Sequence, residues 1–473
     1  MDMRLRILTV FPGCIHRAAA PAILALGILA CGTAEGKSAF AQAPANGSAE
    51  NAPVSITLEV AIQRAEASEP AYAATKGASW SAQLDKSIAV AGLLPTARLF
   101  SQGIYTQPNG ITSEGGEGVL SSDPKFVAND SRPHEYFAQG IVDETLSLSG
   151  LASVRRAQAA AAMAAAQQEI ARRGLVAAVT ALFYGSVAAD HRVAIAQHGL
   201  QDAEQFTRTT EEREKQGEAA HADVIKAQLT QQQQWRSLQD AILNAQTARL
   251  DLAVLLFPDP RTPFTLLESQ AESSLPPFGD VQAAAARNNP ELKSALANLD
   301  VSNADLLGAR AGYLPTLGLN VTYGIDANEF AVNGPMTPNG FQARNLGYSA
   351  SWAVTLPVWD WLSTEHKVKQ SEIRRDVARV ALTATQRQLI ANLQDDYASA
   401  QTAQKELESM DASVAAAAES LRLTKLRYTG GEASVLEVVD AQNTYLTMQN
   451  AREDGRVRYE TALAALQTLT GTM

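Results

Sequence analysis

Residues 427–442 read RYTGGEASVLEVVDAQ and residues 213–228 read REKQGEAAHADVIKAQ, seven identities in sixteen positions at an offset of 214. In both strings glycine ends a long run that lacks proline. An apolar pattern then resumes at once, through Ala222-Asp223-Val224-Ile225 in the first and Leu436-Glu437-Val438-Val439 in the second. Glycine just past a helix end tolerates the left-handed backbone of a C-cap, and so short a link sends the next helix back antiparallel to the first. Each string is read as the tip of a helical hairpin, and its recurrence as the mark of a tandem duplication.

Working outward, the helix that leads into the second tip shows its period plainly. Leu393, Ala400, Leu407, Val414 and Leu421 fall seven apart, with Ala403, Met410 and Ala417 three beyond, which is an a/d seam. From about Ser363 to Tyr428 there is neither proline nor glycine, and the counterpart from Leu151 to Gln216 holds only Gly174, Gly185 and Gly199. Some 65 residues at a rise of 1.5 Å make a rod of roughly 100 Å. Further upstream the copies align at a second offset, 220, where Pro70 matches Pro290, Asp85 matches Asp305, Gly92 matches Gly312, and Leu94-Pro95-Thr96 matches Leu314-Pro315-Thr316.

Between the leading helix and the rod the period changes from seven to two. Leu346, Tyr348, Ala350, Trp352, Val354, Leu356 and Val358 alternate with small or polar residues, and Leu317, Leu319, Val321, Tyr323 and Ile325 do the same in a partner strand. A loop rich in Asn, Gly and Pro, about 326–344, joins them. In repeat one, Tyr136, Ala138, Gly140, Val142, Leu146 and Leu148 alternate, but Glu144 falls on the apolar face, and Phe100 and Ile104 break phase with Leu99 and Tyr105. About ten residues with one apolar face fit a strand of an outer-membrane barrel, and equally a half-buried strand of a soluble sheet. Four strands per chain cannot close such a barrel, because the smallest have about eight and an open edge cannot face lipid. Several chains must share the barrel.

Composition narrows the function classes. The chain has 473 residues, 46% of them apolar and 6% aromatic, with 50 acidic against 39 basic side chains. A net charge of -11 disfavours nucleic acid as a partner. At the N-terminus, Arg4, Arg6 and Arg17 precede an apolar run, Ala18 to Ala30, which reads as an export signal with cleavage after Ala41; Ile28-Leu29-Ala30-Cys31 also reads as a lipoprotein box in which Cys31 is lipidated. Both readings leave no cysteine pair for a disulfide. The later apolar stretch from Gly174 to Ala189 is too short to span a bilayer and reads as buried in a helical bundle. The six histidines include no HExxH and no pair with a carboxylate at metal-site spacing, His191 and His198 read as solvated helix surface, and there is no P-loop, G-x-S-x-G or dinucleotide fingerprint. No cofactor and no enzymatic activity are expected.

Taken together, the export signal, the duplicated repeats, Leu-Pro-Thr before the first strand of each pair, Thr355-Leu356-Pro357-Val358 closing the second, and Arg-Tyr-x-x-Gly with Val-x-Asp-Ala-Gln at the tip resemble the TolC family of outer-membrane efflux proteins across roughly residues 55–470. The fold expected is mainly α with a small β part. It comprises a signal peptide (1–41), repeat one (55–262; strands about 95–149, hairpin about 151–256) and repeat two (275–473; strands about 315–360, hairpin about 363–470). The resemblance implies a homotrimer with a twelve-stranded barrel in outer-membrane lipid and a periplasmic α-barrel. It implies a passive exit duct of a Gram-negative bacterium that docks on a periplasmic adaptor and, through it, on an inner-membrane pump. A rival reading is a periplasmic adaptor or a structural coiled-coil protein, although adaptors carry one hairpin rather than two.

The resemblance also carries site residues. Glu437 and Asp440, three apart on one helix face, match acidic residues of the constriction, where threefold symmetry would gather six carboxylates. Tyr428 matches a tyrosine of the network that holds the tip closed. Ala433 departs from the family, which often has an arginine there. Adaptor docking falls to the tips, namely Gly217, Glu218, Ala219 and Ala220 in repeat one and Gly430, Gly431, Glu432, Ala433 and Ser434 in repeat two.

Overall fold

The computed structural model describes residues 54–105, 134–268, 274–336 and 338–471. The export signal, the Ala41 cleavage point and Cys31 lie outside the described residues. In chain order the elements are β1 (Val54–Ile56), α1 (Leu58–Ser68), α2 (Pro70–Ala91), β2 (Thr96–Tyr105), β3 (His134–Leu146), α3 (Leu148–Lys215), α4 (His221–Leu256) and β4 (Phe264–Leu266). They continue with α5 (Phe278–Asn288), α6 (Pro290–Ala311), β5 (Thr316–Ala327), β6 (Asn333–Met336), β7 (Gln342–Arg344), β8 (Leu346–Thr355), α7 (Ser363–Thr429) and α8 (Val435–Thr470). The starts of α5 and α6 lie 220 residues after those of α1 and α2, and the start of α8 lies 214 after that of α4.

Two features differ from the sequence reading. The single helix expected before each strand pair is two helices. Pro70 and Pro290 stand at the first helical position, where a missing N–H costs nothing. The residue before each serves as N-cap: Asn289 Oδ1 accepts the Leu292 N–H at 2.8 Å and Glu69 Oε1 accepts that of Ala71 at 3.4 Å. The second difference is the small sheets, β1 with β4 in parallel and β6 with β7, whose strands of three or four residues are too short to show a period.

The main sheet has the order β2-β3-β5-β8, every pair antiparallel, which leaves β2 and β8 as open edges. Its register sets Val142, Val321 and Ala350 in one row and Glu144, Leu319 and Trp352 in the next. The apolar row is bare: Tyr348 is 84% exposed and Trp352 74%. The opposite face is polar, with Asp143 Oδ1 accepting from Asn320 Nδ2 at 2.6 Å and its other oxygen 3.2 Å from Arg98. Phe100 shares that face, its ring 6.3 Å from that of Phe137, while Leu99 lies outward, so the phase break in β2 reflects aromatic filling of the inner face. Glu144 does sit on the outward face. Its carboxylate oxygens are buried and accept no hydrogen bond from a described residue. Leu148, read as the end of the strand, is instead the first residue of α3, because Ser147 Oγ accepts the Gly150 N–H at 3.1 Å and caps the helix.

α3 and α7 are 68 and 67 residues long, roughly 100 Å each, and α4 and α8 fold back along them. Of the seam in α7, Leu393, Ala400, Ala403, Ala417 and Leu421 are buried; Leu407, Met410 and Val414 are half-buried. Alanine at so many seam positions lets the helices approach closely, and Gly455 on α8 takes this furthest: a Cβ there would meet Met410 Sδ at 2.6 Å. The apolar stretch 174–189 packs inward through Val176, Val179, Phe183 and Val187.

Candidate functional site at the hairpin tips

Both tips close in the same way. After α3, the Gly217 N–H donates to Glu214 O at 2.9 Å and the Glu218 N–H to Arg213 O at 2.8 Å; after α7, the Gly431 N–H donates to Tyr428 O at 3.1 Å and the Glu432 N–H to Arg427 O at 2.9 Å. These bonds form the Schellman pattern, which requires a left-handed residue at the turn. Gly217 at φ +78° and Gly431 at φ +79° supply it, whereas Gly430 stays right-handed at φ -79°. The next helices start differently. α4 begins after Ala220 without a side-chain cap. α8 begins after Ser434 with a full capping box, in which Ser434 Oγ accepts the Glu437 N–H at 3.3 Å and Glu437 Oε1 accepts the Ser434 N–H at 3.2 Å.

Beneath the turns lies a small core of Phe206, Ala227, Tyr428, Val435 and Val438, with Ala433 and Val439 packed against it. Tyr428 joins the two hairpins. Its ring centroid is 5.1 Å from that of Phe206, its hydroxyl is 3.2 Å from that of Thr210, and the Arg213 guanidinium lies 4.9 Å above the ring. Arg213 also donates to Tyr428 O and sits 3.4 Å from Glu218. A second link is Lys425 Nζ to Asp202 at 2.9 Å.

Ala433 therefore belongs to the apolar packing, and the cation beside Tyr428 comes from α3. The sequence reading gave Arg213 no role. A signal existed, since the 214 offset pairs Arg213 with Arg427, but basic residues are common in the last turn of any helix.

Glu437 and Asp440 are exposed, one helical turn apart on α8. Glu437 is not a free charge: its carboxyl is held below the usual range by the Ser434 backbone N–H, then by the Ser434 hydroxyl, with Arg427 3.5 Å away adding to the effect. Glu218, Ala219, Glu432 and Ser434 complete the two turns.

Farther along the rods, a second polar group joins α3 to α8. His191 Nδ1 is 2.8 Å from Glu453 Oε2, Arg452 lies 3.1 Å from Glu453 and 2.5 Å from Asp411, and Arg456 pairs with Glu268. Burial pushes the Glu453 carboxyl up, but His191 and Arg452 outweigh it and the net shift is downward. His191, read as solvated surface, is thus a cross-helix contact. His198 makes no such link among the described residues.

A family profile described as "Outer membrane efflux protein" matches residues 282–472. Outer membrane protein OprJ of Pseudomonas aeruginosa is 27% identical over 177 residues, which is 37% of this chain and 36% of OprJ, so the alignment spans little more than a third of that relative. Among solved structures, a membrane protein from Pseudomonas aeruginosa superposes with a TM-score of 0.72 at 21% identity, over 88% of this chain and 93% of that one. The CmeC outer membrane channel of Campylobacter jejuni gives 0.71 at 15% identity, over 88% and 85%. At these identities the likeness is one of fold, that of outer membrane channels, and the profile match places residues 282–472 with the outer membrane efflux proteins.

Proposed function

We propose that three copies of this chain form a passive exit duct through the outer membrane of a Gram-negative bacterium, the last component of a tripartite efflux or secretion system. One observation carries the reading. A four-stranded sheet with a bare apolar face and two open edges is joined directly to rods of about 100 Å. An open edge in lipid leaves backbone groups unpaired at several kcal/mol each, so β2 of one copy pairs with β8 of the next until twelve strands close. The rods then continue the lumen into the periplasm. Both strand pairs merge in one sheet, which argues against an adaptor.

In this reading the chain is exported by residues 1–41, and its mature N-terminus follows Ala41 or is a lipidated Cys31. The tips, 217–220 and 430–434, dock on a periplasmic adaptor, which links them to an inner-membrane pump. No cofactor takes part, because movement through an open duct makes and breaks no covalent bond.

Glu437 and Asp440 from three copies form the periplasmic constriction, with Tyr428 behind them. Six carboxylates around one axis favour cations and repel anions. The test is single-channel recording in a planar bilayer. The parent should be cation-selective and blocked by multivalent cations from the periplasmic side; Glu437→Ala with Asp440→Ala should shift the reversal potential toward anions and relieve the block. Because Glu437 also closes the capping box, Glu437→Gln with Asp440→Asn is the companion that removes charge and spares most of the cap. If both double variants keep the parent's reversal potential and block, the constriction is not built from these residues.

A further inference from the structure

The four helices joined to the main sheet pack side by side in the order α2-α3-α6-α7. At the ends of this row, α2 leads into the edge strand β2 and α7 follows the edge strand β8, so each open edge of the sheet continues as a helix. By the repeat offsets, α2 is the counterpart of α6 and α7 is the counterpart of α3. The contact of α3 with α6 inside the chain therefore shows what the outer face of α7 is shaped to meet. That contact is built from small residues: Ala152, Ala159 and Ala166 of α3 and Ala304 of α6 are buried, and a Cβ on Gly308 would stand 3.6 Å from that of Ala152.

At the counterpart positions the side chains are large and bare. Leu84 and Ile88 stand on α2 where α6 has Ala304 and Gly308, and Ile373 and Val380 stand on α7 where α3 has Ala159 and Ala166. Leu84 is 64% exposed, Ile88 67%, Ile373 61% and Val380 66%. The first two are four residues apart and the last two seven, so each pair lies on one face of its helix. Charge repeats the pattern. Across the contact inside the chain, Arg156 Nε donates to Asp305 Oδ1 at 2.7 Å. Asp85 keeps that acid on α2 but makes no ion pair with a described residue, and Lys369, beside the counterpart of Arg156 on α7, is exposed and also unpaired among the described residues.

We infer that the bare face of α7 packs on α2 of a second copy of this chain, with Ile373 against Leu84 and Lys369 beside Asp85, and that side-chain size directs this pairing. Duplication gives each chain two similar helices for either side of the contact, so wrong combinations are available. Size separates them. Alanine and glycine let α3 and α6 approach to the close end of the range of about 8–10 Å between helix axes, whereas leucine and isoleucine hold α2 and α7 toward the wide end. Leu84 and Ile88 would overfill the small contact, and α6 laid on this face of α7 would leave a void. Small residues thus pair within a chain and large ones between copies, and a contact from α2 of one copy to α7 of the next closes into a ring. The inference rests on the assembly proposed above and adds which helices meet and what selects them.

Disulfide trapping in native outer membranes tests the contact. Leu84→Cys with Ile373→Cys should give covalently linked dimers and trimers on oxidation, and neither single variant should. Size is tested by Leu84→Ala with Ile88→Ala, which should lower the assembled fraction several-fold while the helical circular dichroism of the chain is kept. Asp85→Lys should weaken assembly and Asp85→Lys with Lys369→Asp should restore it, a rescue that a general loss of folding would not give. If native mass spectrometry shows assembled copies but the cysteine pair forms no link between them, the assembly stands and this contact is overturned; if the parent does not assemble, the reading beneath it fails instead. A disulfide closed within one chain, or a link to a different protein, would contradict the inference. Full assembly of the two-alanine variant would overturn the role given to size.

Discussion

In the proposed duct, Tyr428→Ala should loosen the tip: a several-fold rise in single-channel conductance is expected, and sensitivity of the host to large hydrophilic antibiotics that the intact outer membrane excludes. The tyrosine ring lies between Phe206 and Arg213, its hydroxyl meets Thr210, and its carbonyl accepts from Arg213. Removing a buried aromatic of this size costs on the order of 3–5 kcal/mol, more than a small tip core is expected to spare. The expected series is graded. Tyr428→Phe loses one hydrogen bond, about 1 kcal/mol, and should leak little. Arg213→Ala removes the guanidinium from the ring and the carbonyl and should fall between the two. If Tyr428→Ala conducts as the parent does while the protein level is unchanged, the two hairpins are held by something other than this contact.

Ala350→Arg should abolish assembly in the outer membrane, whereas Ser351→Arg, one residue along, should be tolerated. Both sit near the middle of β8, opposite Val321 and Asn320 respectively. Successive strand residues point to opposite faces, so Ala350 lies in the bare apolar row and Ser351 beside the polar group of Asn320 and Asp143. An arginine facing lipid at mid-bilayer costs roughly 2–4 kcal/mol, and each barrel would carry three, whereas one facing water in the lumen costs little. Quantitative blots of outer-membrane fractions read the difference. Equal loss from both variants would mean that the sheet has no lipid face. Equal tolerance would mean the same.

What the sequence made legible follows from how each interaction is encoded. The tips could be read because a left-handed turn needs glycine, and Gly217 and Gly431 recur at matched positions. The rod of repeat two could be read because its seam keeps a seven-residue period over five successive positions, Leu393 to Leu421, and β8 because apolar side chains line one face of it throughout. β3 was obscured by Glu144, a carboxylate on the apolar face, and β2 by Phe100, an aromatic turned inward toward Phe137. Strands β1 and β4 are too short to show a period and exist because Phe264 and Ile56 complete a core assembled from distant segments. The same reason hid Arg213 and His191. Each is an ordinary polar residue on its own helix, and only packing of α3 against the second hairpin brings Tyr428 to one and Glu453 to the other.

The count of chains in the assembly tests the central claim most directly, because everything proposed for the duct depends on how the two open edges of the sheet are closed. Native mass spectrometry of the complex extracted from outer membranes should give three copies of the mature chain and no stable smaller species, matching twelve strands in one barrel. A stable dimer would mean that eight strands close a narrower barrel, and a monomer would mean that the sheet edges are covered within the chain; either result would contradict the account.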